Sequence, residues 1–232
     1  MPRAESSAEA AAAAVARLDE IARKLRRECP WDREQDERTI VPHTVEEAYE
    51  LADAAYRHDD GKLLDELGDV LFQVHFLALL LEERGAGDLE GVAEHCVEKL
   101  IRRHPHVFGE ARAGTAAEVL RNWDQIKRGE EGREPGIFGD VPQTLPALLY
   151  ARKVQRRASG SPPPSDLASV ARVREGLLTL ESAEGRDDQF DALGDALFEL
   201  VAVARRLHVD PELALRAAAD RFREQVLAGS GS

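Results

Sequence analysis

Nine of the 25 residues in VEEAYELADAAYRHDDGKLLDELGD (45–69) are Asp or Glu, against two Lys or Arg. Two pairs within that acid share one spacing: Glu47 with Glu50, and Glu66 with Asp69, each at i, i+3. On a helix such residues are neighbours one turn apart, here at the edge of an apolar stripe. The short HDDG turn at 58–61 makes the two helices antiparallel neighbours. Two carboxylates from each helix then point into one space. Four oxygen-bearing side chains, with room for waters and phosphate oxygens, suit Mg²⁺ or Mn²⁺.

Acid runs on helices are most often solvated faces, and the stretch has to be weighed against that. The stripe carrying Asp69 continues through Phe72, Gln73 and Phe76, so it turns apolar within one turn. A carboxylate entering such a seam without a basic partner is costly to keep ionised. The i+4 neighbours of Glu47, Glu50 and Glu66 are Leu51, Ala54 and Val70, none of them basic. A cation would neutralise the set. Glu46, Asp53 and Arg57 fall on the outer side and read as the solvated face.

These residues need helices to position them, and the rest of the chain supplies the pattern. Val15, Leu18, Ile21, Ala22 and Leu25 form one stripe over 15–28, and CPWD at 29–32 breaks it. Thr44 with Glu47 predicts a capping box that starts a second helix, running to Arg57. A third spans 62–84, a fourth 89–103, and further helices lie near 144–158, 166–184, 187–207 and 210–227. No segment alternates with period two, so the fold class is all-α. The predicted domains are an unstructured N-terminus (1–14), a first helical domain (15–128), a Gly- and Pro-rich linker (129–142) and a second helical domain (143–228).

Composition narrows the function classes. Of 232 residues, 43% are hydrophobic and 32% charged, which describes a soluble globular protein. The net charge of −13 excludes the basic footprint of non-specific nucleic-acid binding. Cys29 and Cys96 are too few for a disulfide framework and have no zinc-type spacing. The N-terminus has no signal-peptide pattern, and the apolar run VLFQVHFLALLL (70–81) is too short to span a bilayer. A cytoplasmic protein without membrane or nucleic-acid partners is expected. Gly61-Lys62 is followed by Leu, so there is no P-loop. No histidine has an acid three positions before it, which removes the helical di-iron pattern.

The pattern EExxE at 46–50, then ExxD at 66–69 after fifteen residues, resembles the signature of the all-α nucleoside triphosphate pyrophosphohydrolases. CPWDREQ (29–35), KLIRRHPHVFGE (99–110), NWDQIK (122–127) and DPELALRAAADRFRE (210–224) look like the MazG branch, and the resemblance covers about residues 15–227. It implies that Glu47, Glu50, Glu66 and Asp69 hold Mg²⁺, with Mn²⁺ as a substitute. The metals would clamp a nucleoside triphosphate while water attacks the α-phosphorus, giving a monophosphate and diphosphate in house-cleaning of the nucleotide pool, aberrant or oxidised dNTPs included. Glu46 would orient or deprotonate that water, or stand one shell behind it. A homodimer or higher homo-oligomer is also implied. The alternative is a non-catalytic helical protein that binds metal structurally or interacts with partners. Asp36-Glu37-Arg38-Thr39-Ile40 departs from the family's usual Thr-His and Ser-Leu after CPWDxxQ, and if that loop touches base or ribose, specificity differs here.

LGDVLFQV (67–74) is repeated as LGDALFEL (193–200), which suggests a tandem of four-helix units. The second copy is degenerate. Asp195 matches Asp69, but Ala192, Gly176 and Thr179 stand for Glu66, Glu47 and Glu50, so it should not hold metal in the same way. The candidate substrate contacts are Trp31, Gln35, Lys99, Arg102, Arg103 and Lys127. Trp31 is either a base-stacking surface or a core plug; the cations near 99–103 are either phosphate contacts or partners of a helix dipole. His75, inside an apolar helix, reads as a core residue.

Overall fold

Alanine fills most of positions 8–16, and alanine is the strongest helix former. α1 accordingly runs Pro2–Glu28, although the sequence predicts an unstructured 1–14 and a start near Val15. Residues 7–17 are exposed, so propensity rather than packing forms this half of the helix. The computed structural model describes residues 2–130, 136, 138–139, 141–158 and 170–229. Its chain divides into two compact units, Met1–Gly129 and Glu130–Ser232. No strand occurs among the described residues, in agreement with the all-α class. None of their helices is long and apolar enough to cross a membrane.

In the first unit CPWD ends α1 but then forms a short helix of its own, α2 (Pro30–Glu34), with Pro at the first position where no amide is missed. α3 (Glu37–Arg57) begins seven residues before the predicted Thr44. The cap is Asp36, whose carboxylate accepts from the amides of Arg38 and Thr39 at 2.8 and 2.9 Å. Thr39 Oγ1 accepts in return from the Asp36 amide at 2.9 Å, completing a capping box. Thr44 instead donates back to Ile40 O within the helix, at 3.3 Å. The residues that depart from the family pattern thus have a structural job, as the start of α3.

His58 closes α3 in the left-handed region at φ 56°, and Asp59 caps α4 (Asp60–Glu83) by accepting from the Lys62 amide. This tight turn, with the Asp59 amide on Ala54 O at 3.1 Å, folds α4 back antiparallel on α3. Ile40, Phe76 and Leu80 form the buried core between them, with Phe72 and Leu77 packed against it. α1 is fastened to α4 by paired ionic contacts: Arg23 on Glu82 and Arg26 on Glu83. α5 (Leu89–Arg103), α6 (Pro105–Phe108) and α7 (Ala116–Arg128) complete the unit. The short α6 and the Thr115-capped α7 were not predicted from the sequence.

The second unit holds α8 (Ala147–Ala158), α9 (Val170–Ser182), α10 (Arg186–Arg206) and α11 (Pro211–Gly229). α9 and α10 pack most extensively, and Gly176 lets them approach until a Cβ there would sit 3.5 Å from Ala196 Cα. Each unit thus contains a helical hairpin whose second helix carries LGD. Half of the predicted linker (129–142) and the whole SGSPPPS stretch (159–165) lie outside the described residues.

Candidate metal centre

The centre is built from the α3–α4 hairpin. Glu47 on α3 and Glu66 and Asp69 on α4 bring one carboxylate oxygen each to within 4.8 Å of one another. Their environments differ in depth: Glu66 is 4% exposed, Glu47 is half-buried and Asp69 is exposed. Burial pushes the Glu47 carboxyl above its ordinary range, and the charges of Asp69, Glu50 and Glu66 push it the same way. A hydrogen bond to Glu66 adds to the rise. Three like-charged groups sharing a partly buried space suit a hard divalent cation, and the all-oxygen donor set fits one. That separates the trio from an ordinary solvated acidic face.

Glu50, the fourth predicted ligand, is exposed and stands at the edge of this group. Lys62 links it to the centre: its ammonium lies 3.2 Å from Glu66 and 3.6 Å from Glu50. The sequence did carry that signal. Lys62 lies four residues before Glu66, on the i−4 side, whereas the i+4 neighbours of these acids are not basic. Glu66 and Glu50 raise the Lys62 pKa, as expected for an ammonium held between carboxylates.

Glu46 faces outward as predicted, with its carboxylate 3.2 Å from His43 Nδ1. Trp31 is 51% exposed, which removes the core-plug reading, and its ring meets His43 edge-on at 5.8 Å. A line of contacts therefore runs from Trp31 through His43 to Glu46, beside Glu47. Gln35 donates to Trp31 O at 2.8 Å and so supports the α2 segment. Arg26 straps the same segment down, donating to Asp32 O and Gln35 O at 2.6 and 3.0 Å.

The remaining predicted contacts gather elsewhere in the unit. Arg103 and Lys127 both lie over the ring of Trp123, at 5.3 and 4.8 Å from its centroid. Lys99 is half-buried and Arg102 exposed on α5. His75 is buried at 2% exposure with Asp19 3.7 Å away, in keeping with a core residue. In the second unit Thr179, Ala192 and Asp195 line an open cleft with Asp188 and Asp191, and the predicted substitutions leave only Asp195 of the four acids.

Residues 35–108 match the MazG nucleotide pyrophosphohydrolase domain family. The chain is 39% identical to the nucleoside triphosphate pyrophosphohydrolase of Escherichia coli K12, over 85% of this chain and 78% of that protein. It is 38% identical to the nucleoside triphosphate pyrophosphohydrolase/pyrophosphatase MazG of Thermotoga maritima, over 85% of this chain and 77% of that one. Among solved structures, a mazG-related protein from Thermotoga maritima shares 30% identity over 48% of this chain and 96% of that chain, with a TM-score of 0.43.

Proposed function

The chain belongs to the MazG family of nucleoside triphosphate pyrophosphohydrolases, and on that premise we propose that it hydrolyses nucleoside triphosphates to monophosphates and diphosphate. The observation that carries this is the convergence of Glu47, Glu66 and Asp69 from two helices, with Glu66 almost wholly buried. Together with Glu50 these residues would hold Mg²⁺, for which Mn²⁺ can substitute. Bound there, the ion supplies Lewis-acid charge to the phosphate oxygens and acidifies the attacking water.

The chain's own groups account for the rest. Water oxygen bonds to the α-phosphorus as the bond from that phosphorus to the bridging oxygen breaks, and diphosphate leaves. The water proton passes to Glu46, which is exposed and oriented by His43. Lys62, already between Glu50 and Glu66, is placed to offer its ammonium to phosphate oxygens. Trp31 and Gln35, on the α2 side of the hairpin, would complete the substrate contacts, while Lys99, Arg102, Arg103 and Lys127 lie elsewhere in the unit, two of them over Trp123. The second unit acts as a degenerate copy without a metal site.

We read the biological role as house-cleaning of the cytoplasmic nucleotide pool. The apolar residues left exposed on α4 and α5, including Leu67, Leu71, Leu100 and Ile101, support a homodimer. The test is release of diphosphate from standard and modified dNTPs with Mg²⁺. Diphosphate and a monophosphate are expected; orthophosphate and a nucleoside diphosphate would overturn the reaction class.

A further inference from the structure

Gln73 lies four residues after Asp69 and seven after Glu66 on α4. On a helix that places it within about 20° of Glu66, on the same stripe, one turn beyond Asp69. It is 8% exposed, and its amide oxygen is buried without a hydrogen-bond partner among the described residues. The surroundings offer none. Its neighbours along the stripe are Phe72, Phe76 and Leu77, packed on Ile40. On the facing stripe of α3, Ile40, Thr44 and Glu47 follow one another at i, i+4 and i+7. Ile40 meets Phe76 and Glu47 meets Glu66 and Asp69, so Thr44 falls opposite Gln73, but its hydroxyl is used on Ile40 O. Buried amides left unsatisfied in native proteins are rare, and each calls for an explanation.

We propose that Gln73 is a substrate contact, its side-chain carbonyl accepting a hydrogen bond from a sugar hydroxyl of the bound nucleotide. This rests on the carboxylate trio being the site that takes the phosphates. Four residues, about 6 Å along the axis, separate Gln73 from Asp69. That step matches the distance from an α-phosphate to the sugar rather than to the base. The terminal torsion of glutamine is soft, so the amide can turn its oxygen to a ligand without moving the helix. A site built to bond a hydroxyl rejects the analogue that lacks it, because the carbonyl is then left unpaired.

The experiment pairs wild type with Gln73→Leu and Gln73→Met, each assayed on a dNTP and on the 2′,3′-dideoxy analogue of the same base. Wild type should favour the dNTP by about tenfold in kcat/KM, the worth of one hydrogen bond to a partner otherwise unpaired. Both variants should lose that ratio, and their melting temperatures should equal or exceed that of wild type, since an apolar side chain replaces a buried carbonyl that has no partner among the described residues. Retention of the ratio in the variants, or its absence from wild type, would overturn the inference. So would a fall of several degrees in the melting temperature of both variants, because the amide would then have an internal partner. Calorimetric binding of the same two nucleotides reads sugar discrimination without turnover. If binding depends on Gln73 as stated but no diphosphate appears, the proposed reaction fails and the contact stands.

Discussion

Glu66 carries the largest share of the proposed chemistry because it is the acid held deepest in the hairpin. Glu66→Gln removes its charge while keeping its shape. Diphosphate release should fall by more than about 100-fold, beyond the loss typical for a group that merely supports a metal ligand. The circular dichroism spectrum should stay helical. Lys62 acts in the opposite sense, since its ammonium already offsets two of the acids that a metal ion needs. Lys62→Ala should therefore tighten Mn²⁺ binding to the nucleotide-free protein several-fold by calorimetry, while raising KM for the triphosphate. Unchanged Mn²⁺ affinity would detach Lys62 from the site. The i, i+3 pairs were legible in the sequence, because spacing along one helix is local. The pairing of Lys62 with Glu50 was not, because it crosses between helices.

At the scale of elements, the α1–α4 contact holds the α2 segment that presents Trp31. Arg26 donates to the Glu83 carboxylate twice at 2.8 Å and to two carbonyls of the α2 segment. That hydrogen-bonded cation holds the Glu83 carboxyl below its ordinary range. A carboxyl with a depressed folded pKa contributes stability that is present above its unfolded value. That contribution is lost as the pH falls through the folded one. Thermal melts should show stability falling on the acid side of the carboxylate range, and Arg26→Ala should flatten that fall. A pH profile identical in the variant would remove the pair from the account. The element boundaries show the limits of pattern reading. Thr44 with Glu47 has the form of a capping box, yet Asp36 with Thr39 is the box that forms, eight residues earlier. Both motifs satisfy the local rule, and packing of Ile40 against Phe76 favours the longer helix.

For the whole molecule, the two units predict an asymmetry of function. Asp195 in the second unit matches Asp69 by sequence, but its neighbours at the corresponding positions are Gly176, Thr179 and Ala192. Gly176 packs on Ala196, and Thr179, Ala192 and Asp195 line an open cleft where the first unit carries its carboxylates. Asp195→Ala should leave diphosphate release unchanged, and a loss comparable to that of Glu66→Gln would show a second working site. α5 has no buried residue, although Val97, Leu100 and Ile101 lie along it. On the proposed homodimer, wild type should have the mass of a dimer by light scattering, and Leu100→Glu combined with Leu71→Glu should shift it to that of a monomer.

The sequence by itself determined the all-α class, the turn that pairs α3 with α4 and the carboxylates that lie near one another along each helix. Helix periodicity, capping chemistry and turn residues act over a few positions, so they can be read from the chain. Tertiary structure decided which of those carboxylates meet, that Lys62 also reaches Glu50 across the hairpin, that Trp31 is exposed and that Gln73 carries a buried oxygen with no partner among the described residues. Those facts depend on the register of one helix against another, a relation between distant residues that no local pattern encodes.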